Sequence, residues 1–390
     1  MTAPKVGDLD GKFGKVMGDF FHSRRPWLVS KIADYVQMQS PSDHPVQLEK
    51  MAGLIEADLE GLGAELMEVP SVPRAVVAGF GRHAGASTAL IFHHDTVWPI
   101  DGFPNARIEG DAWFAPGIFD MKANLPLVML SLEYLAYHSP RSLDGLVFIS
   151  SPDEEILGSV SSEFLPRLAK EFKLERALVF EPPGPGGALK QKRKGCARLE
   201  VTFRGIASHA GNHYERGKSA LLAASRFLQH AESLTDLEMG LTVNVGRLSG
   251  GDAVNTRPAK AVMALDVRFH DQKHWQGVHA ALNQYCDPEQ VGIQVEVEAF
   301  LPPMDANHEE WLQLKKACEV SGCVFELGMA GGGSDGSRLA DLGLKVMDGL
   351  GVPGGGEHAV HEHILMSELE PYFIRNTHLL LGMSGWGSPK

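Results

Sequence analysis

The sequence predicts an α/β protein of two domains, a mixed-sheet domain formed by residues 1–195 and 302–390 and a smaller α+β domain inserted at residues 196–301. Three observations carry that expectation. At 390 residues, 44% of them hydrophobic, the chain can bury a large core but exceeds the usual size of one domain. Its first half alternates short apolar runs with helical stripes. From Ala197 the pattern becomes an alternation of apolar and polar residues, and after Pro302 the mixture of apolar runs and helical stripes resumes.

The segment Met1 to Phe20 mixes Lys, Asp and Gly and lacks the apolar stretch of a secretory signal. Leu48, Met51, Ile55, Leu59 and Leu62 recur at helical spacing and stop at Gly63, which suits a helix closed by a glycine cap. Three strands follow. Thr88 to Phe92 leads into His93 and Asp95, Gly145 to Ile149 into Glu154 and Glu155, and Ala177 to Phe180 into Glu181. Each polar group lies past the C-terminal end of its strand, the edge of an open α/β sheet where loops converge and ligands bind. Asp120 instead precedes a helix marked by Leu125, Val128, Met129, Leu132 and Leu135, with Pro126 tolerable in its first turn.

In the insert, Leu199, Val201 and Phe203 share one face of a strand, and a helical stripe follows through Leu221, Ala224, Phe227, Leu228, Ala231 and Leu234. Strands with Leu241, Val243 and Val245 and with Met263, Leu265, Val267 and Phe269 come next, then a helix through Trp275 to Cys286 and a strand with Ile293, Val295 and Val297. The order β-α-β-β-α-β is the ferredoxin-like pattern, a four-stranded antiparallel sheet with two helices on one face.

A net charge of −13, with no basic run beyond Lys190 to Lys194, argues against nucleic-acid or anionic-membrane partners. No stretch approaches a membrane span. Cys196, Cys286, Cys318 and Cys323 form no C-x-x-C pair, so reduced thiols in a cytoplasmic protein are expected and a sulfur-ligated metal site is not.

The acids and histidines have unexceptional explanations one at a time. His93 could be a satisfied loop histidine, and His94 beside it has the same chemistry. Asp120 could be a helix N-terminal acid favoured by the dipole. Glu154 and Glu155 could be a solvated pair, although such pairs seldom follow Leu-Val-Phe-Ile directly. Glu181, before Pro182 and Pro183, could be a turn acid. His358 lies in the small-residue segment Gly354 to Glu362, where His361 and His363 compete with it. The run Gly331 to Gly336 could offer N–H groups to an anion, but it lacks the Lys-Ser/Thr of a phosphate loop. Taken together, imidazole and carboxylate groups at several strand ends point to two divalent metal ions. Two adjacent carboxylates suit two roles there, one binding metal and the other taking a proton from water.

With these motifs in order, the chain resembles the two-metal exopeptidase and deacylase family that includes bacterial glutamate carboxypeptidase, acetylornithine deacetylase and succinyl-diaminopimelate desuccinylase. The resemblance rests on His93-His-Asp-Thr-Val97, Gly117-Ile-Phe-Asp-Met-Lys122, Asp153-Glu-Glu155, Ser208-His-Ala-Gly211 and the segment Gly354 to Glu362 with its histidine and downstream Glu. It implies that His93, Asp120, Glu155, Glu181 and His358 bind the metals, with Asp120 bridging, that Asp95 orients His93, and that Glu154 is the general base. It also implies a dimerisation or lid role for the insert and a homodimer in which His209 reaches across to the tetrahedral oxyanion. Asn255 and Arg268 match positions near the substrate carboxylate. Glu181 and the segment Glu155 to Ser162 resemble the glutamate carboxypeptidase branch, while His94 departs from it. The implied activity is metal-assisted hydrolysis of an amide in a small-molecule or peptide substrate. Zinc is the expected metal, with manganese or cobalt as alternatives. An N-acyl amino acid deacylase or other small-molecule amidohydrolase is the nearest alternative function, and a non-catalytic metal-binding protein a distant one.

Overall fold

The computed structural model describes residues 12–81, 87–104 and 106–383. They divide into two compact units, one made of the described residues within 12–191, 305–329 and 334–383, the other of residues 192–304 and 330–333.

The first unit is built on a six-stranded mixed sheet. Its strand order is Glu65–Leu66, Val76–Phe80, Leu146–Ser151, Ser87–His93, Leu174–Val179 and Lys345–Asp348. The last four strands run parallel, and the first two pair antiparallel. Ser87–His93 and Leu146–Ser151 are buried along their whole length. Strands covered on both faces need apolar residues at every position, which is why they read as unbroken apolar runs. The second of these strands begins one residue later than expected because Gly145 takes φ +79°, outside the extended region. Phe92 stacks between Phe148 and Phe180, with ring centroids 4.6 and 4.9 Å away, so three adjacent strands are packed together near their C-terminal ends.

Helix Pro45–Gly61 buries Leu48, Met51, Ile55 and Leu59, and Gly63 follows it at φ +77°. Helix Asn124–His138 is buried on nearly every side and packs with helices Lys12–Gln37 and Leu369–Met383. Helices Ser159–Glu171 and Asp335–Asp341 pack together and against strands Leu174–Val179 and Lys345–Asp348. Ser334 caps the latter helix by accepting from the Gly336 N–H and donates to Asp348 Oδ2 at 2.8 Å, so this end of the glycine run is taken up by local structure.

The second unit contains an antiparallel sheet in the order Thr242–Gly250, Lys260–Phe269, Gly195–Arg204 and Gly292–Leu301, with helices Ala220–Glu232 and Gln272–Gln284. Leu199, Val201, Phe203, Met263, Leu265, Val267 and Phe269 form its core with Phe227, Ala231, Trp275 and Leu282. Ser219 and Asp271 cap the helices, accepting from the N–H groups of Leu222 and Lys273. The ladder is interrupted at two places, of which the first lies between Val245 and Arg247. At the second, register shifts between Val297 and Ala299, and Val297 is 40% exposed instead of facing the core. Among the described residues no helix is long and apolar enough to cross a membrane.

Candidate metal centre

The parallel strands deliver their polar residues to one edge. His93 is the last residue of its strand and almost fully buried, with Nε2 3.0 Å from Asp120 Oδ1 and 3.5 Å from Glu181 Oε1. The other oxygen of Asp120, Oδ2, lies 3.5 Å from His358 Nε2, which is 3.0 Å from Glu155 Oε2. Asp120 therefore turns one oxygen to each imidazole. Ligand atoms of His93, Asp120 and Glu155 lie within 4.8 Å of one another, as do those of His93, Glu154 and Glu181. The structure thus brings His93, Asp120, Glu154, Glu155, Glu181 and His358 together from distant parts of the sequence.

Side-chain alternation along the strand separates the two neighbouring histidines. His94 Nδ1 lies 3.0 Å from Ser150 Oγ, its Nε2 has no hydrogen-bond partner, and burial holds its pKa down to about 3, so it is neutral. His363 is likewise used elsewhere, with Nδ1 2.9 Å from the His361 carbonyl and its ring against Phe114. His358 takes φ +60°, a conformation that non-glycine residues rarely adopt, and such positions concentrate at functional sites.

Asp120 does not begin a helix. It takes φ −119° and ψ 88°, and the helix starts only at Asn124. The turn before it needs Gly117, which has φ +65° and where a Cβ would stand 2.5 Å from Thr96 Cγ2. Lys122 of the same motif is buried, its Nζ donates to the Met38 carbonyl at 2.6 Å, and burial lowers its pKa to about 7.

Asp95 has more partners than a histidine-orienting role requires. His93 Nδ1 is 3.0 Å from the Asp95 carbonyl and 3.3 Å from its Oδ1. The carboxylate accepts the backbone N–H groups of Glu154 and Glu155, each at 3.1 Å, and the Ser42 hydroxyl at 2.7 Å. Ser42 carried no sign of this contact in the sequence. The turn bearing Glu154 is held at its far end as well. Arg338 donates to the carbonyls of Leu157 and Gly158, and Asp153 accepts the N–H groups of Val160 and Ser161.

The cluster concentrates carboxylates in a buried space. Burial and the neighbouring Glu181 raise the pKa of Glu154 well above the usual carboxylate range, and burial with Asp120 raises Glu155 to about 7. Hydrogen bonds to Asp120 and Glu155 lift His358 to about 11. Burial opposes charge on His93, yet hydrogen bonds to Asp120 and Asp95 raise its pKa well above the ordinary value. Burial also opposes charge on Asp120, but hydrogen bonds from His358 and His93 outweigh it and hold its carboxyl below the ordinary range. Burial and an excess of neighbouring negative charge together favour the protonated forms of Glu154 and Glu155, and that negative charge favours those of His93 and His358. Divalent cations would offset it directly, and imidazole nitrogen with carboxylate oxygen is a donor set that suits zinc, manganese or cobalt. The residues fit a dinuclear centre.

His209, Asn255 and Arg268 lie in the second unit. His209 is exposed in Ser208–His209, which pairs with Thr256–Arg257, and the adjacent Ala210 N–H donates to the Asn255 carbonyl at 2.9 Å. His209 Nδ1 accepts the N–H groups of Gly211 and Asn212, both at 3.1 Å, so the neutral ring carries its proton on Nε2. Arg268 is engaged by Asp266, to which Nε and Nη2 donate at 2.7 and 2.9 Å.

The sequence matches the model of peptidase family M20/M25/M40 over residues 89–379. It is 27% identical over 350 residues to carboxypeptidase G2 of Pseudomonas sp. (strain RS-16), an alignment covering 86% of this chain and 84% of that protein. It is 25% identical over 312 residues to a succinyl-diaminopimelate desuccinylase of Pseudomonas fluorescens, covering 75% and 81% of the two chains. The fold is similar to that of an M20 family metallo-carboxypeptidase from Sulfolobus solfataricus, with a TM-score of 0.75 at 16% identity over 91% of this chain and 98% of the other.

Proposed function

The chain belongs to peptidase family M20/M25/M40, and on that premise we propose that it is a glutamate-carboxypeptidase-like metallopeptidase acting on a small substrate with a free carboxylate. It is a metal-dependent hydrolase of amide bonds. The observation that carries the dinuclear reading is Asp120, whose oxygens face His93 at 3.0 Å and His358 at 3.5 Å, the arrangement of a bridging ligand. In this reading His93, Asp120 and Glu181 hold one cation and Asp120, Glu155 and His358 the other. Zinc is the proposed metal, with manganese or cobalt as alternatives.

Two divalent cations held there would lower the pKa of a water and polarise the scissile carbonyl. Glu154 takes the proton of the attacking water and delivers it to the leaving nitrogen, so that the amine departs neutral. Asp95 fixes the turn carrying that base while standing beside His93. His209 donates from Nε2 to the oxyanion of the tetrahedral intermediate, a role supported by the tautomer its Nδ1 contacts impose. Asn255 and Arg268 bind near the substrate carboxylate, with Asp266 setting the plane of the guanidinium.

The proposal extends to a homodimer through the inserted second unit, with His209 serving the partner's centre. The four cysteines are free thiols, which suits the reducing cytoplasm. The similarity to succinyl-diaminopimelate desuccinylase favours a second reading, hydrolysis of an N-acyl amino acid by the same residues.

A hydrolysis screen of the zinc-loaded protein, with a chelator control, tests the proposal. C-terminal glutamate and other amino-acid amides, N-acetyl and N-succinyl amino acids, and aromatic amides form the panel. Chelator-sensitive release of a C-terminal amino acid supports the carboxypeptidase reading. Activity confined to acylated substrates would replace it with the second.

A further inference from the structure

We infer that Glu362 is a positioning residue for the dinuclear centre, holding the loop of Asp120 and the turn of His358 in one fixed relation. The inference rests on the reading of Asp120 and His358 as metal ligands.

Glu362 is 1% exposed, and each of its carboxylate oxygens accepts two hydrogen bonds. Oε2 takes Trp98 Nε1 at 2.6 Å and the Gly117 N–H at 2.9 Å. Oε1 takes the N–H groups of Phe119 at 3.0 Å and Asp120 at 3.1 Å. Those three N–H groups belong to an irregular loop and have no strand or helix ladder to satisfy them. A carboxylate is the side chain suited to them, because it accepts at both oxygens and donates at neither. Removing it would leave buried donors unpaired, which destabilises the loop.

The other end of the staple is the turn itself. Ala359 N–H donates to the Gly356 carbonyl at 2.9 Å, and Glu362 N–H to the Ala359 carbonyl at 2.8 Å, so His358 and Glu362 lie in two consecutive turns joined at Ala359. Directly after them, His363–Leu365 pairs antiparallel with Ala112–Phe114, the strand that leads into Gly117. Register thus brings the two segments side by side, and Glu362 sets their spacing where they leave the ladder. Asp120 is consequently held at its N–H by Glu362 and at its two oxygens by His93 and His358. A shift of this loop would misalign both cation positions at once.

The test compares Glu362→Gln, Trp98→Phe and Asp120→Asn with the wild-type protein. Zinc affinity and stoichiometry are read by calorimetric titration, the ligand field by the visible spectrum of the cobalt-loaded protein, and folding by melting of the chelator-treated protein. Gln keeps the shape but places an amide donor against two of the four donors. Glu362→Gln should weaken zinc binding about 10- to 100-fold, the range for lost partners of metal ligands, and alter the cobalt spectrum. Trp98→Phe removes one donor and should give a smaller loss without a change in fold. It keeps the inference testable should Glu362→Gln not fold. A purely structural residue would lower the melting temperature and leave the affinity and cobalt spectrum of the folded protein unchanged. That result for Glu362→Gln, or wild-type affinity and spectrum in Trp98→Phe where Glu362→Gln does not fold, would overturn the inference, provided Asp120→Asn loses metal. If Asp120→Asn also bound zinc like the wild type, the dinuclear reading itself would fall.

Discussion

The Asp95 carboxylate accepts the backbone N–H of Glu154 at 3.1 Å, through the same oxygen that lies 3.3 Å from His93 Nδ1. One side chain thereby links the proposed first ligand to the turn that carries the proposed base. Asp95→Asn would retain one acceptor but place an amide donor against the N–H of Glu154 or Glu155. The expected outcome is a fall in kcat of about 10- to 100-fold with the zinc stoichiometry kept. Steady-state kinetics beside metal analysis of the purified variant would check it. An unchanged kcat would confine Asp95 to the histidine side.

Glu154 presents a different problem, because its oxygen also groups with His93 and Glu181 within 4.8 Å. Distance alone does not distinguish a base from a ligand. Glu154→Ala removes the proton carrier, and as a base its loss should cost about 10²–10⁴-fold in kcat while two zinc ions still bind. Loss of one zinc equivalent would make Glu154 a ligand instead.

Much of this architecture was legible in the sequence, and the parts that were not share a physical reason. Ser87–His93 reads as a strand because both its faces are covered, and the insert reads as β-α-β-β-α-β because its strands bury one face each. Choosing His93 over His94 requires knowing which face of the strand meets the acids, which spacing cannot supply. The bulge between Val297 and Ala299 is likewise a matter of register with Gly195–Arg204. The contacts of Ser42 with Asp95 and of Glu362 with Gly117 join residues 53 and 245 positions apart, and neither leaves a local pattern. Residues whose role is to hold other residues are the hardest to read, since their chemistry is ordinary and only their neighbours are special.

Metal binding should release protons. With its pKa lifted to about 11 by hydrogen bonds to Asp120 and Glu155, His358 is protonated at pH 7 in the metal-free protein, and it must lose that proton to become a ligand. Because the metal-free state holds the extra proton, zinc affinity should rise as pH is raised from 6 to 8, by about tenfold per unit for each proton displaced. Calorimetric titration in two buffers of different ionisation enthalpy at pH 7 would count the protons. A count of zero would remove His358 from the ligand set.

His209 offers the sharpest separation of catalysis from metal binding, because it belongs to the second unit and to no metal group in the first. Its Nδ1 is occupied by the N–H groups of Gly211 and Asn212, leaving Nε2–H as the free donor on an exposed ring. If that donor meets the oxyanion of the tetrahedral intermediate, its contribution appears as charge develops and not when substrate binds. His209→Ala should therefore lower kcat by about 10²–10³-fold, the usual cost of one oxyanion donor, with KM, zinc content and melting temperature nearly unchanged. Mixing this variant with Glu154→Ala distinguishes the source of the donor. A donor that crosses a dimer would let the Glu154→Ala chain supply its His209 to the intact centre of the His209→Ala chain, and activity would return at one centre of each mixed dimer once subunits exchange. A donor acting within its own chain would leave the mixture inactive and end the cross-dimer reading.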